Sequence, residues 1–172
     1  VMISYVKDNY AYFVPIGGLD PATLIGQEVR FGEQYGVIGS VPPHMKPANA
    51  PAAKIEDLWI DFGTNDAPDI GEVGVIVGEY RELGSRIVVK ALDDRAGLAA
   101  MVEAVIGSME IEPTIHIVAS TQEEVGLKGI RGAVERYNPD VVLAIDVTMC
   151  CNSPGIPEKQ APIKMGEGPV IV

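Results

Sequence analysis

Apolar and polar positions alternate through the first half of the chain, which is typical of half-buried β-strands. Residues 1–6 and 10–14 alternate on either side of Lys7, Asp8 and Asn9, so this stretch predicts a β-hairpin. Asp20 followed by Pro21 predicts the N-cap and first position of a short helix. Further strands are predicted at residues 28–31, 36–41, 58–62, 74–80 and 86–90, with a Pro-rich loop at 42–53 that cannot pair in a sheet.

The spacing of apolar positions becomes helical after about residue 85. In residues 94–109, five side chains share one helical face at i, i+3, i+4, i+7 and i+8: Leu98, Met101, Val102, Val105 and Ile106. Met101 and Met109 fit this segment as core residues. Residues 129–137 predict a second helix, and residues 114–120 and 141–145 predict apolar strands. The order β-α-β-α-β, starting from residues 86–90, predicts part of an α/β domain with a parallel, helix-covered sheet, joined near residue 85 to a small β-barrel-like module.

Acidic side chains follow three of the predicted strands. Asp93 and Asp94 follow residues 86–90, Glu123 and Glu124 follow 114–120, and Asp146 follows 141–145. Ligands of open parallel sheets bind beyond the carboxyl ends of the strands, so we expect these side chains to meet at one edge. Crowded carboxylates repel one another, and a divalent cation relieves that repulsion. The pattern favours a metal or acid–base site, although each acid could instead be solvated, and Asp94 could simply cap the following helix.

The adjacent pair Glu123 and Glu124 is the most specific of these signals. Where the chain turns toward Gly126, both side chains can reach one pocket, one as a metal ligand and the other as a base that takes a proton from water. Carboxylate pairs also cleave glycosidic bonds, but adjacent glutamates are poorly arranged to flank a sugar from two sides. A glycoside hydrolase is therefore the weaker enzyme hypothesis.

Composition narrows the classes of partner and the cellular setting. The chain has 172 residues, with 13 Lys and Arg against 24 Asp and Glu, for a net charge of −11, which disfavours nucleic-acid binding. No apolar run approaches the length of a membrane span, so no membrane partner is expected. The two cysteines, Cys150 and Cys151, are neighbours that cannot form an ordinary disulfide staple, and no signal peptide is visible; both favour the cytoplasm.

Three segments resemble the signature of a known enzyme family. Residues 90–97 (KALDDRAG), 122–126 (QEEVG) and 144–148 (AIDVT) resemble those of the dinuclear, tetrahedral (TET) or glutamyl aminopeptidases, a family that also carries the label endoglucanase. Residues 13–18, 36–44 and 153–158 fit the same family, so the resemblance covers nearly the whole chain in the right order. It implies an inserted lid and oligomerisation domain at residues 1–85 and part of an α/β metallopeptidase catalytic domain at 86–172.

The resemblance also implies a role for each carboxylate. Asp93 would bridge two divalent metal ions, Glu124 and Asp146 would each bind one of them, and Glu123 would be the catalytic general base. Zinc or cobalt suits a family that combines carboxylate with imidazole ligands, and the carboxylate bias also admits manganese. The implied substrates are peptides with a free N-terminus, and the implied assembly is a homo-oligomer, such as a dodecamer built from dimers.

The chain departs from the family in its histidines. The family uses two histidine ligands, one before the inserted domain and one near the C-terminus, whereas His44 and His116 stand at neither position and are interpreted as structural. The chain therefore resembles an internal excerpt. Two possibilities stay open: the histidine-bearing segments belong to the full protein, or this is an incomplete, inactive piece that acts as a binding or assembly module.

Overall fold

The computed structural model describes residues 1–107 and 112–171, which divide into two compact units. The sheet unit contains Val1–Lys90 together with Gln122–Lys128. The helical unit runs from Ala91 to Thr121 and from Gly129 onwards. The position predicted for Met109 in the core lies outside the described residues.

The sheet unit is built on six antiparallel strands. Their bounds are Met2–Lys7 (β1), Tyr10–Val14 (β2), Glu28–Phe31 (β3), Gln34–Ser40 (β4), Leu58–Asp61 (β5) and Val75–Ile76 (β6). They are ordered β1-β2-β5-β4-β3-β6. The predicted hairpin β1–β2 is confirmed, and Asp8 and Asn9 take the positive φ angles, +50° and +68°, that a tight hairpin turn requires. The amide of Ile3 also donates to the Glu72 carbonyl at 2.9 Å, which links β1 to the segment leading into β6.

Alternate residues of these strands form the core of the sheet unit. Ile3, Ala11, Ile38, Leu58 and Ile60 are essentially inaccessible to solvent. Burying one isoleucine or leucine side chain contributes about 1.5–3 kcal/mol, so these positions carry much of the stability of the unit. Within the described residues, eleven of the twelve buried apolar side chains belong to this core.

Helix α1, Pro21–Leu24, begins as the sequence predicts. Asp20 is its N-cap, and a side-chain oxygen of Asp20 accepts a hydrogen bond from the Ala22 amide at 2.9 Å. The predicted loop at residues 42–53 is also confirmed, with a single 3₁₀ turn at Pro43–Met45 and no strand.

A separate hairpin replaces one of the predicted parallel strands. Strand β7, Arg81–Leu83, pairs antiparallel with β8, Arg86–Val88. Residues 86–90 were predicted to open a parallel sheet, and that prediction is wrong. Gly84, with φ +64°, and Ser85 form a tight turn, so β8 pairs with the residues directly before it.

The helical unit contains helix α2, Leu92–Ile106, and most of helix α3, Lys128–Tyr137, so both predicted helices are confirmed. The predicted strands at 114–120 and 141–145 are wrong, since neither segment pairs in a sheet within the described part of the chain. A strand needs a hydrogen-bonded neighbour, and these runs have none there: Val141 and Leu143 are 83% and 79% exposed. The described residues therefore form an antiparallel sheet with few helices, without the predicted β-α-β-α-β unit.

The ring of His116 stacks on Tyr137, with centroids 4.1 Å apart and planes 22° apart. His116 is therefore packed against a helix side chain, as its structural interpretation requires, although not within a strand. None of the helices in the described residues combines the length and apolar character that crossing a bilayer requires.

Candidate metal centre

Asp93 lies where the chain enters helix α2. Ala91 takes a left-handed conformation, with φ +59° and ψ +34°, and Asp93 and Asp94 are non-helical within the bounds of α2. The Asp93 side chain is exposed, and no hydrogen bond or ion pair to its carboxylate is recorded among the described residues. A carboxylate presented in this way is available to an external cation.

Asp94 has a different role from its neighbour. Its Oδ1 accepts a hydrogen bond from the Gly97 amide at 2.9 Å, three residues further along. This is N-cap geometry, because it satisfies one of the amides that the first turn of a helix leaves without a partner. The helix-cap interpretation of Asp94 is therefore confirmed, and Asp93 is left as the exposed carboxylate of the pair.

Glu123 and Glu124 lie in one compact turn. The amides of Gly126 and Leu127 both donate to the Glu123 carbonyl at 3.0 Å. Gln122 and Leu127, at the two ends of the turn, have φ angles of +60° and +56°. Such angles are uncommon for residues other than glycine, and they concentrate at functional sites, where the surrounding structure holds the strain. Both glutamate side chains are exposed.

Asp146 lies in the non-strand segment at residues 141–149. Its Oδ1 accepts a hydrogen bond from the amide of Val147 at 2.7 Å, which orients the carboxylate against its own backbone. The side chain is exposed, and it retains lone pairs for a further ligand.

The candidate carboxylates divide between the two units. Asp93 and Asp146 belong to the helical unit, whereas Glu123 and Glu124 belong to the sheet unit, so their convergence on one centre stays a prediction. Among the described residues, no three His, Cys, Asp or Glu side chains lie close enough together to hold a metal ion.

The chemistry of the donors nevertheless fits divalent cations. The ion pairs recorded among residues 1–107 and 112–171 are Lys54–Glu56, Arg81–Glu79 and Lys164–Glu158. None of them uses Asp93, Glu123, Glu124 or Asp146. A carboxylate that is not paired with a lysine or arginine side chain keeps its oxygens available, and carboxylate oxygens are common ligands of divalent metal ions in proteins.

Sequence reasoning missed the left-handed residues that flank the candidate site, Ala91, Gln122 and Leu127. Nothing in these residue types marks a positive φ, since it is glycine, asparagine and aspartate that usually adopt it. The spacing Asp94-x-x-Gly97 was readable, because an aspartate three residues before a helical amide is an N-cap signal.

Comparison with known proteins consistently finds that the chain is similar to aminopeptidases. A family model described as M42 glutamyl aminopeptidase matches residues 1–172. Lysyl aminopeptidase of Pyrococcus furiosus is 38% identical over 187 aligned positions, which cover 99% of this chain and 54% of that protein. The chain therefore spans about half the length of this curated relative.

Solved structures agree with the sequence relatives. An aminopeptidase from the archaeon Desulfurococcus kamchatkensis superposes with a TM-score of 0.86 at 35% identity, covering 98% of this chain and 50% of that one. The TET1 peptidase of Pyrococcus horikoshii, which can assemble into a tetrahedron or a large octahedral shell, superposes with a TM-score of 0.68 at 29% identity, covering 80% of this chain and 46% of its own. The antiparallel sheet with few helices is thus an arrangement found in aminopeptidases.

Proposed function

Because the chain belongs to the M42 glutamyl aminopeptidase family, we propose that the protein is a metal-dependent aminopeptidase that removes N-terminal residues from peptides. The observation that carries the proposal is that two strained backbone segments, at Ala91–Asp93 and at Gln122–Leu127, present exposed carboxylates that have no ion pair among residues 1–107 and 112–171. These are the segments that the resemblance assigns to the catalytic centre.

In the proposed site, Asp93, Glu124 and Asp146 would hold two divalent cations, with Asp93 as the ligand shared by both and Glu124 and Asp146 as ligands of one each. The cations, when bound, supply Lewis-acid chemistry and lower the pKa of water. Zinc or cobalt is proposed, with manganese also compatible with oxygen ligands. These three residues supply only carboxylate oxygens, so the two histidine ligands are proposed to come from segments of the full protein outside this chain.

Glu123 is proposed as the general acid–base group. Its carboxylate takes a proton from the attacking water as the water oxygen bonds to the carbonyl carbon of the peptide. When the carbon–nitrogen bond breaks, Glu123 returns that proton to the departing amine nitrogen. A base held within reach of both atoms contributes about 10²–10⁴-fold to the rate. Acidic groups around the free amine of the substrate favour cleavage at the N-terminus.

The test uses the full-length protein with a peptide whose N-terminus is free and, as a control, the same peptide N-acetylated. We expect cleavage of the free peptide only, loss of activity with a chelator, and loss of about 10²–10⁴-fold with Glu123→Gln. Glu135→Gln, which changes an exposed glutamate of helix α3, is the matched control and should remain active. Activity that survives the chelator contradicts the metal dependence, and activity that survives Glu123→Gln removes the proposed base.

Residues 86–172 are proposed to supply part of the catalytic domain, and residues 1–85 the inserted lid and oligomerisation domain. The support for assembly is a group of aromatic side chains that face away from the core of the sheet unit. Tyr5 lies beside Tyr12 with ring centroids 5.7 Å apart, and Tyr10 meets Trp59 edge to face at 6.0 Å. Tyr5 and Tyr10 are exposed and Tyr12 and Trp59 are half-buried, and aromatic residues at a surface are enriched in protein interfaces.

A homo-oligomer of the TET type is the proposed assembly. Light scattering after size-exclusion chromatography of the full-length protein tests it, and a monomer contradicts it. A cytoplasmic location is also proposed, supported by the free thiols of Cys150 and Cys151.

A further inference from the structure

The first turn of helix α2 contains a fixed contact directly beside Asp93. Asp94 is half-buried, and its Oδ1 holds the Gly97 amide at 2.9 Å. Asp93, one residue earlier, is exposed and has an extended backbone, with φ −83° and ψ +109°. The two adjacent carboxylates therefore differ in role: Asp94 is bonded within the chain, whereas Asp93 has no bonded partner among the residues that the structure describes.

Gly97 makes room for this contact. A Cβ at position 97 would lie 2.5 Å from both carboxylate oxygens of Asp94 and 2.8 Å from its Cγ, closer than real Cβ contacts allow. Gly97 is also buried, so the carboxylate is packed against the backbone of the turn. The Asp94 side chain and the Gly97 backbone therefore fit together, and a substitution at either position disturbs their contact.

We infer that Asp94 is a positioning residue for the proposed metal centre, acting through its cap on Gly97 to fix the backbone that carries Asp93. The first turn of a helix has amides without intrahelical partners, and it frays when its cap is lost. Fraying at Asp94 would free the peptide group that joins it to Asp93, so the Asp93 carboxylate would no longer keep one orientation. This inference rests on the proposed function.

The experiment measures the dissociation constant of Zn²⁺ by titration calorimetry on the full-length protein. Removing a group that orients a metal ligand typically weakens affinity by about 10–100-fold, and we expect that loss for Asp94→Ala. Asp94→Asn should bind Zn²⁺ with a dissociation constant within about threefold of the wild-type value, because asparagine caps helices as well as aspartate does. Asp20→Ala removes an equivalent 2.9 Å cap in the sheet unit and should leave the dissociation constant unchanged.

Each outcome decides between the possible roles. Unchanged affinity in Asp94→Ala overturns the inference and leaves the proposed function standing. Equal loss in Asp94→Ala and Asp94→Asn also overturns it, since the charge rather than the cap would then matter. If Asp94→Ala does not fold, Asp94→Gly replaces it, because glycine costs the helix little at an N-cap but lacks the side-chain oxygen that holds the Gly97 amide; the same loss of affinity is expected, and unchanged affinity overturns the inference. A wild-type protein that binds no Zn²⁺, Co²⁺ or Mn²⁺ overturns the proposed function and this inference together.

Discussion

Replacing Gly97 by alanine should separate the stability of helix α2 from the geometry of its first turn. The new Cβ would lie 2.5 Å from both Asp94 carboxylate oxygens. That carboxylate ends a short side chain and can rotate away, but it then gives up its 2.9 Å hydrogen bond to the amide of residue 97. The substitution therefore removes the cap without touching Asp94 itself.

Two effects of similar size oppose each other in this variant. Losing an N-cap costs about 1 kcal/mol, whereas replacing glycine by alanine in a helix contributes about 0.8–1 kcal/mol in the other direction. The free energy of unfolding should therefore change by less than about 0.5 kcal/mol. Asp94→Ala has no such compensation and should lose about 1 kcal/mol. Metal affinity should fall in both variants, because both release the backbone at Asp93.

Urea unfolding followed by far-ultraviolet circular dichroism measures the stability term. Within the described residues of this chain, the signal reports chiefly on α2 and α3, which have 15 and 10 residues against 4 in α1. Trp59, the single tryptophan of these 172 residues, lies in the sheet unit, and its fluorescence gives an internal control that should not shift. If Gly97→Ala is more stable by the full 1 kcal/mol or so and binds metal as the wild type does, the cap has survived and the steric reasoning is refuted.

Two further substitutions, together with one control at a more exposed site, test the packing of the sheet unit. Ile60→Ala leaves a cavity at a fully buried position on the interior strand β5 and should lower the free energy of unfolding by about 2–5 kcal/mol, measured by urea unfolding monitored through Trp59. The control Val6→Ala, at a 37% exposed site, should lower it by less than about 1 kcal/mol. Equal losses in the two variants contradict this account of the core. Gly39→Ala would place a Cβ 2.7 Å from Nε1 of Trp59, so we expect the free energy of unfolding to fall by about 1–3 kcal/mol and the emission maximum of Trp59 to shift. An unchanged emission maximum would show that the indole has not been displaced and would contradict this prediction.

Local structure could be predicted from the sequence wherever residues close together along the chain determine it. Asp8 and Asn9 tolerate left-handed φ angles and form the hairpin turn, and Asp20 with Pro21 starts α1. The apolar spacing around Leu98 and Met101 predicted α2 within a few residues. Each of these signals depends on contacts spanning no more than about four residues, the range within which sequence patterns act directly.

The pairing of strands from distant segments could not be predicted from the sequence. Residues 114–120 and 141–145 are as apolar as central strands, but hydrophobicity does not supply the hydrogen-bonded neighbour that a strand needs. The turn at Gly84 and Ser85 was missed because strands β7 and β8 have only three residues each, too few to show alternation. In the candidate site, the residue types of Asp93 and Asp94 were informative, but only the structure separated the cap from the exposed carboxylate.

Anomalous scattering from crystals of the full-length protein grown with zinc tests the central claim most directly. The account predicts two metal positions about 3.5–4 Å apart, with the Asp93 carboxylate between them. One oxygen each of Glu124 and Asp146 should lie about 2.0–2.2 Å from its own metal. Metal bound elsewhere, or Asp93, Glu124 and Asp146 too far apart to share a pair of ions, would contradict it.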